Sequence, residues 1–221
     1  AARVRPEKAG FFLPHLSPFA IFAAATRRCD MEQHDFKEAP CGRPVVMATP
    51  RLLLCRLTPA DADALLAFMG KPAVMYAWEH GFSREEVDEW IARQTARYRA
   101  DGYGYWGLVA REGGALIGQA GLMKSLIGGR ETVELGYMLD DACWGRGYAT
   151  EAARRCLAYA FGPLGLDEVC ASIRPSNEAS LRVARALGMT ACGSHTVVYR
   201  GQAMPHLLFR AVRPDRSAGR R

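Results

Sequence analysis

Several familiar signatures are missing from this 221-residue chain, and each absence narrows the reading. No Cys-x-x-Cys pair and no Cys/His set at metal-ligand spacing occurs, so neither a zinc module nor a disulfide framework is expected. The seven cysteines are odd in number and widely spaced, several within apolar runs where a free thiol acts as a small hydrophobe; this fits a reducing cytoplasm. No apolar run spans a membrane: residues 10–25 (GFFLPHLSPFAIFAAA) are too short and carry Pro14, His15 and Pro18. A secretory signal ending near Ala25 is an alternative that those three residues weaken. There is no internal repeat and no Gly-Lys-Ser/Thr phosphate loop. The middle of the chain also has no charge excess. The net +6 comes from residues 1–48 and 210–221, while residues 49–209 hold 17 basic and 17 acidic side chains. A nucleic-acid partner is therefore not expected, since a basic binding face needs its excess inside the fold.

What is present is a composition of 49% hydrophobic, 24% charged and 10% aromatic residues, which fits a globular protein and excludes collagen-like or disordered chains. Residues 1–48 show no period and read as an irregular N-terminal extension, and 213–221 as a basic tail. Regular signals begin at Thr49. Residues 51–57 (RLLLCRL) read as a strand, and Thr58-Pro59-Ala60-Asp61 opens a helix that Gly70 stops. Ser83-Arg84-Glu85-Glu86 is a capping box for a second helix, with Val87, Trp90, Ile91 and Tyr98 on one face. Strands are expected at 103–110 and 115–123 around the turn Arg111–Gly114, and again at 132–139. A helix over 148–161, a strand at 168–173, a helix over 177–187 and strands at 192–199 and 206–212 complete the order. The class is α/β, with helices available for both faces of a mixed sheet.

Residues 142–151 (ACWGRGYATE) carry the chemical signal. A strand ends, two glycines turn the backbone, and an amphipathic helix begins at once. Main-chain amides at such a helix head are unpaired and sit at the positive end of the helix dipole, so a pyrophosphate fits there. The dinucleotide fingerprint laid on Gly145 needs Gly or Ala at 150 and finds Thr150.

Four words stand in order: Glu-Leu-Gly-Tyr (134–137), Trp-Gly-Arg-Gly-Tyr-Ala-Thr-Glu-Ala (144–152), Asn-Glu-Ala-Ser (177–180) and Ala-Leu-Gly-Met (186–189). On these the chain resembles the GNAT acetyltransferases, and within them the RimJ/RimL-like branch of ribosomal-protein N-terminal acetyltransferases, over residues 50–212. The resemblance implies the GNAT fold, a mixed and mostly antiparallel sheet splayed between its fourth and fifth expected strands (132–139 and 168–173). It implies acetyl-CoA as co-substrate and no metal. The pyrophosphate would lie on the backbone amides of Trp144, Gly145, Arg146, Gly147, Tyr148, Ala149 and Thr150. Pantetheine would lie along Leu135, Tyr137, Met138 and Leu139, with Asn177 and Ser180 as further contacts. Trp144 departs from the Gln/Arg that opens the family's loop.

The reaction implied is attack of a primary amine on the acetyl thioester, which needs a neutral amine, a polarised carbonyl and a proton for the thiolate. Glu134 is the candidate general base; the plainer alternative is a solvated or ion-paired strand carboxylate. Ser180 is the candidate proton donor, and Asn177 and Ser180 also read as ordinary helix capping. The family's usual acid is a Tyr whose matching position holds Ala184. Tyr76, Trp78 and Glu79 lie where the family builds its acceptor pocket. Cys143 beside the loop reads as an inert thiol rather than a nucleophile. His80, His195 and His206 read as surface or satisfied histidines rather than metal ligands. The acceptor is a protein N-terminus or a small amine, and a homodimer follows family habit. The competing class is a CoA-binding sensor without turnover, suggested by Ala184.

Overall fold

The structure, a computed structural model, describes residues 42–214. The sequence readings on residues 1–41 and 215–221, including the leader at 10–25 and most of the basic tail, fall outside them.

Eight strands form one sheet in the order β1-β2-β3-β4-β5-β6-β8-β7. They are β1 (Val45–Ala48), β2 (Leu52–Cys55), β3 (Tyr105–Ala110), β4 (Leu116–Ile127), β5 (Arg130–Leu139), β6 (Glu168–Ile173), β7 (Thr190–Tyr199) and β8 (Gln202–Val212). Four helices pack on it: α1 (Ala62–Met69), α2 (Arg84–Ala100), α3 (Tyr148–Phe161) and α4 (Glu178–Ala186). Neighbouring strands are antiparallel except β5 and β6.

Two corrections follow. Val45–Ala48, read as part of an irregular extension, is a strand paired with β2, so the sheet begins before residue 49. Pro59–Asp61 is a short 3-10 turn ahead of α1 rather than its first turn, although the Thr58 capping box forms. The Ser83 box also forms: the Ser83 side chain accepts from the Glu86 amide, and Glu86 Oε2 accepts from the Ser83 amide at 2.8 Å. Its helix buries Val87, Trp90, Ile91 and Tyr98 as the spacing predicts.

The core has two layers. On one face α3 and α4 bury Ala152, Cys156, Leu181 and Ala184 against Leu122, Leu135, Leu139, Val169, Ala171 and Phe209. On the other, α1 and α2 bury Leu65, Phe68, Val87 and Trp90 against Tyr105 and Met138. Small side chains bring α3 close to the sheet, and alternation along β5 divides its residues between the two layers. Within the second layer Gln119 is fully buried, its Oε1 accepting from Trp90 Nε1 at 2.8 Å. Gly136 lets β5 pass Tyr105: a Cβ there would stand 1.6 Å from the Tyr105 hydroxyl oxygen.

The feature that positions the site is the join of β5 and β6. One registered pair, Glu134 with Cys170, links them, whereas β4 and β5 pair over ten positions. Beyond that pair no further registered pair joins the two strands, so most of their facing backbone groups lack a partner strand towards the C-terminal end of β5. Counting β1, this is the splay that the family resemblance implied between strands 132–139 and 168–173.

Candidate active site

At the end of β5 the chain turns through a 3-10 segment, Asp141–Cys143, into the glycine loop and α3. Lys71 Nζ lies 2.7 Å from Asp140 and 2.6 Å from Asp141, tying this turn to the end of α1. Gly145 and Gly147 have φ of +74° and +78°, a region that side-chain-bearing residues avoid. Gly147 is the N-cap of α3, with no side-chain cap, and the first amide bond of the helix runs from Glu151 to the Gly147 carbonyl at 3.1 Å. The amides of Tyr148, Ala149 and Thr150 therefore have no partner inside the helix. Trp144 is 52% exposed, and its indole N–H donates to the Leu139 carbonyl at 3.0 Å, closing the end of β5.

Arg51, which the sequence reading passed over, holds this loop. Its Nη1 donates to the Arg146 carbonyl at 2.8 Å and its guanidinium stacks 4.5 Å from the Tyr148 ring centre. Glu151 receives Arg51 Nε at 2.6 Å and Thr49 Oγ1 at 2.6 Å, and these contacts hold its carboxyl below the ordinary range against a desolvation cost. The partners are about a hundred residues apart, so no local pattern could show them.

A cleft of about 520 Å³ runs from the glycine loop to the α1–α2 connection. It brings together Tyr76, Trp78, Tyr137, Met138, Leu139, Trp144, Gly145, Gly147, Tyr148, Ala149, Thr150, Asn177 and Ser180, thirteen of the residues singled out in the sequence. Leu135, Arg146, Glu79 and Glu134 do not line it. Leu135 faces the α3 layer, and Arg146 is exposed, offering its carbonyl to Arg51. Glu79 is committed to Arg174 Nη1 at 3.4 Å.

Arg174, at the end of β6, organises the acceptor-side turn. It donates to the Tyr76 carbonyl at 3.2 Å and lies over the Tyr76 ring, 5.1 Å from its centre. Glu79 has φ of +61°, a left-handed conformation that costs free energy for a non-glycine residue, and the Arg174 pair holds it there. The Tyr76 hydroxyl is buried with no hydrogen-bond partner.

Asn177 caps α4, its Oδ1 accepting from the Ser180 amide at 3.0 Å, so the capping reading is correct for its side chain. The Ser180 carbonyl accepts from the Tyr137 hydroxyl at 3.1 Å, and burial pushes that phenol up to about 12. Ala184 is 1% exposed and belongs to the core.

Glu134 stands on the opposite face of β5 from Leu135 and Tyr137, on the one residue pair that joins β5 to β6. Its Oε2 accepts from Ser125 Oγ at 2.7 Å, and its carboxylate also accepts from the Ser172 backbone amide. Enclosure by protein raises its pKa above the ordinary carboxylate value, and the two donors offset part of that rise. It is partly buried, and among the described residues it is hydrogen-bonded rather than ion-paired. Among the described residues, no group of three or more His, Cys, Asp or Glu side chains is placed to hold a metal ion.

The comparisons with known proteins agree with this geometry. The acetyltransferase (GNAT) domain matches residues 51–190. An uncharacterized N-acetyltransferase of Bacillus subtilis, YoaA, is 30% identical over 145 residues, covering 65% of this chain and 81% of its own length. The crystal structure of an acetyltransferase from Agrobacterium tumefaciens superposes with a TM-score of 0.62 at 28% identity, over 75% of this chain and 92% of that one. RimL, a ribosomal L7/L12 α-N-protein acetyltransferase solved with coenzyme A, shares the fold with a TM-score of 0.64 at 16% identity, over 76% of this chain and 97% of that one. The sheet, the splay and the glycine loop define an acyl-CoA N-acyltransferase fold. The chain belongs to the GNAT acetyltransferase family and is an acetyl-CoA-dependent acyltransferase, which sets the sensor reading aside.

Proposed function

We propose that the protein transfers the acetyl group of acetyl-CoA to a primary amine, a protein N-terminus or a small molecule, by direct attack on the thioester. One observation carries the reading. A single cleft runs from the bare amides at the head of α3, past the C-terminal end of β5 and the head of α4, to the aromatic turn at Tyr76 and Trp78. The loop amides from Trp144 to Thr150 fit a pyrophosphate, and Leu135, Tyr137, Met138 and Leu139 offer β5 backbone along the splay. Asn177 shapes the head of α4 against the carrier.

Glu134 is the general base in this reading. Its raised pKa brings it nearer the range in which a carboxylate exchanges protons with an amine at neutral pH. Ser180, whose hydroxyl makes no hydrogen bond among the described residues, gives its proton to the thiolate while taking one from a water, and a proton lost by the amine makes good that water. Tyr76 and Trp78 form the acceptor's apolar contact, and Glu79 acts through Arg174 on the shape of that turn. The free Cys143, Cys156, Cys170 and Cys192 support a cytoplasmic setting, and no helix of the described residues is long and apolar enough to cross a membrane.

The test is calorimetric binding of acetyl-CoA, followed by thiol release with a panel of peptides and small amines. Micromolar binding with an amine-dependent release of CoA supports the reading; binding with no release from any amine overturns it.

A further inference from the structure

The register of the C-terminal half of the sheet collects a set of polar side chains that the transfer reaction has not yet used. Glu134 pairs with Cys170; Ser172, two residues on, pairs with Leu208; Leu208 pairs with Gly193, and His206 pairs with His195. Directly opposed residues share a face, as do residues two apart on a strand. Glu134, Ser172, His206 and His195 therefore lie on one face, opposite the one that Ala171, Ile173 and Phe209 bury under α3 and α4. Ser172 touches both ends of the row. Its backbone amide donates to the Glu134 carboxylate, and its Oγ is 2.5 Å from His195 Nε2. Because amide and hydroxyl belong to one residue, the hydroxyl is within about 6 Å of the carboxylate, the span of one bridging water. His195 sits on β7, an edge strand whose neighbours Ser194 and Thr196 are exposed.

Acetylation of an ammonium group releases one net proton: the nitrogen loses two, the departing thiolate takes one, and one is left over. Glu134 is partly buried, and once carrier and amine fill the cleft the surplus needs a way out. We propose that Ser172 and His195 carry that proton from Glu134 to bulk water at the β7 edge. The O–H bond of the protonated Glu134 breaks, a water and the Ser172 hydroxyl pass the proton along, an N–H bond forms at His195 Nε2, and the imidazolium then gives a proton to solvent. No electrons move and no co-reactant is needed. The inference rests on Glu134 being the base.

The surroundings suit a neutral, receptive imidazole. Burial and the facing His206 on β8 hold His195 below the ordinary histidine range. His206 is held low in turn by burial and by the Arg174 charge at the end of β6. Its Nδ1 is 3.0 Å from the Met204 carbonyl, which can only accept, so that nitrogen carries the proton. From β6 the facing group is the uncharged Ser172 hydroxyl.

Two amines separate this route from a structural role for the same residues. Propylamine is protonated at pH 7 and yields a surplus proton; hydroxylamine is neutral and yields none. With acetyl-CoA saturating and the uncatalysed rate subtracted, His195→Ala and Ser172→Ala are expected to slow transfer to propylamine about tenfold. That loss should exceed the loss with hydroxylamine at least fivefold, and added imidazole should restore propylamine transfer in His195→Ala. Equal losses with both amines, or none, would overturn the relay. Glu134→Gln slows both amines; if it slows neither, the base reading fails instead. A measurement independent of any acceptor is NMR titration of His195 in the acetyl-CoA complex: an imidazole already protonated at pH 7 cannot accept, and that result overturns the proposal.

Discussion

Arg51 and Glu151 are joined by an ion pair of 2.6 Å that ties the approach to β2 to the first turn of α3. The same guanidinium holds the Arg146 carbonyl, so the glycine loop is fixed from behind by a residue outside its own motif. Loop amides aimed in advance lose less freedom when a phosphate arrives.

Replacing Arg51 by Ala should therefore weaken acetyl-CoA binding about tenfold, roughly the 1.4 kcal/mol of one charged hydrogen bond and its packing. Calorimetry on Arg51→Ala reads this directly; an unchanged Kd would show that the loop holds itself.

Glu134 makes opposite contributions to activity and stability. A carboxyl whose pKa is raised by folding binds protons more tightly in the folded state, so its stabilising contribution is complete below the unfolded pKa near 4.3 and is lost as pH rises through the folded value. Glu134→Gln should raise Tm at pH 7 relative to the parent, by an amount that shrinks towards pH 4, while kcat/KM for amine transfer drops about 100-fold. Thermal scans at pH 4 and 7 beside rate profiles from pH 6 to 9 check both. A variant less stable at pH 7 than the parent contradicts the assignment.

Gly136 is fixed by its neighbour rather than by its own backbone. The side chain of Gly136→Ala would collide with the Tyr105 ring, which is buried against Trp90. The expected cost is about 3 kcal/mol or more, from overpacking at a site with nowhere to yield. Urea unfolding measures it; a loss under 1 kcal/mol would mean that the ring moves aside.

Arg174→Met keeps the stem of the side chain but removes its bonds to the Tyr76 carbonyl and the Glu79 carboxylate. The turn then loses what holds Glu79 in its left-handed conformation. KM for the amine should rise about tenfold while acetyl-CoA affinity changes less than twofold. The reverse pattern would move Arg174 to the carrier side of the cleft.

Local chemistry was readable, and its limits are physical. The helix at 148–161 and the strand at 168–173 have the bounds expected, because a glycine turn and clear periodicity mark them. The capping boxes at Thr58 and Ser83 form because every partner lies within three residues. Val45–Ala48 escaped because four residues after Pro44 are too few to show alternation; its pairing with β2 makes it a strand. Arg51, Arg174 and the Ser172–His195 contact were invisible for a related reason. Their partners are joined by tertiary register, which no motif spacing encodes. The Arg174 partner of Glu79 was hidden as well, because it stands 95 residues away. Gly136 was legible as part of Glu-Leu-Gly-Tyr, but the reason for it, the Tyr105 ring, was not.

The lone rung between Glu134 and Cys170 is the post on which the two halves of the sheet lean. An extended thioester arm laid in the gap would act as a missing ninth strand, lending its amides to both banks. Hydrogen exchange along the facing edges of β5 and β6 should consequently slow once the arm is seated and bridges the two banks.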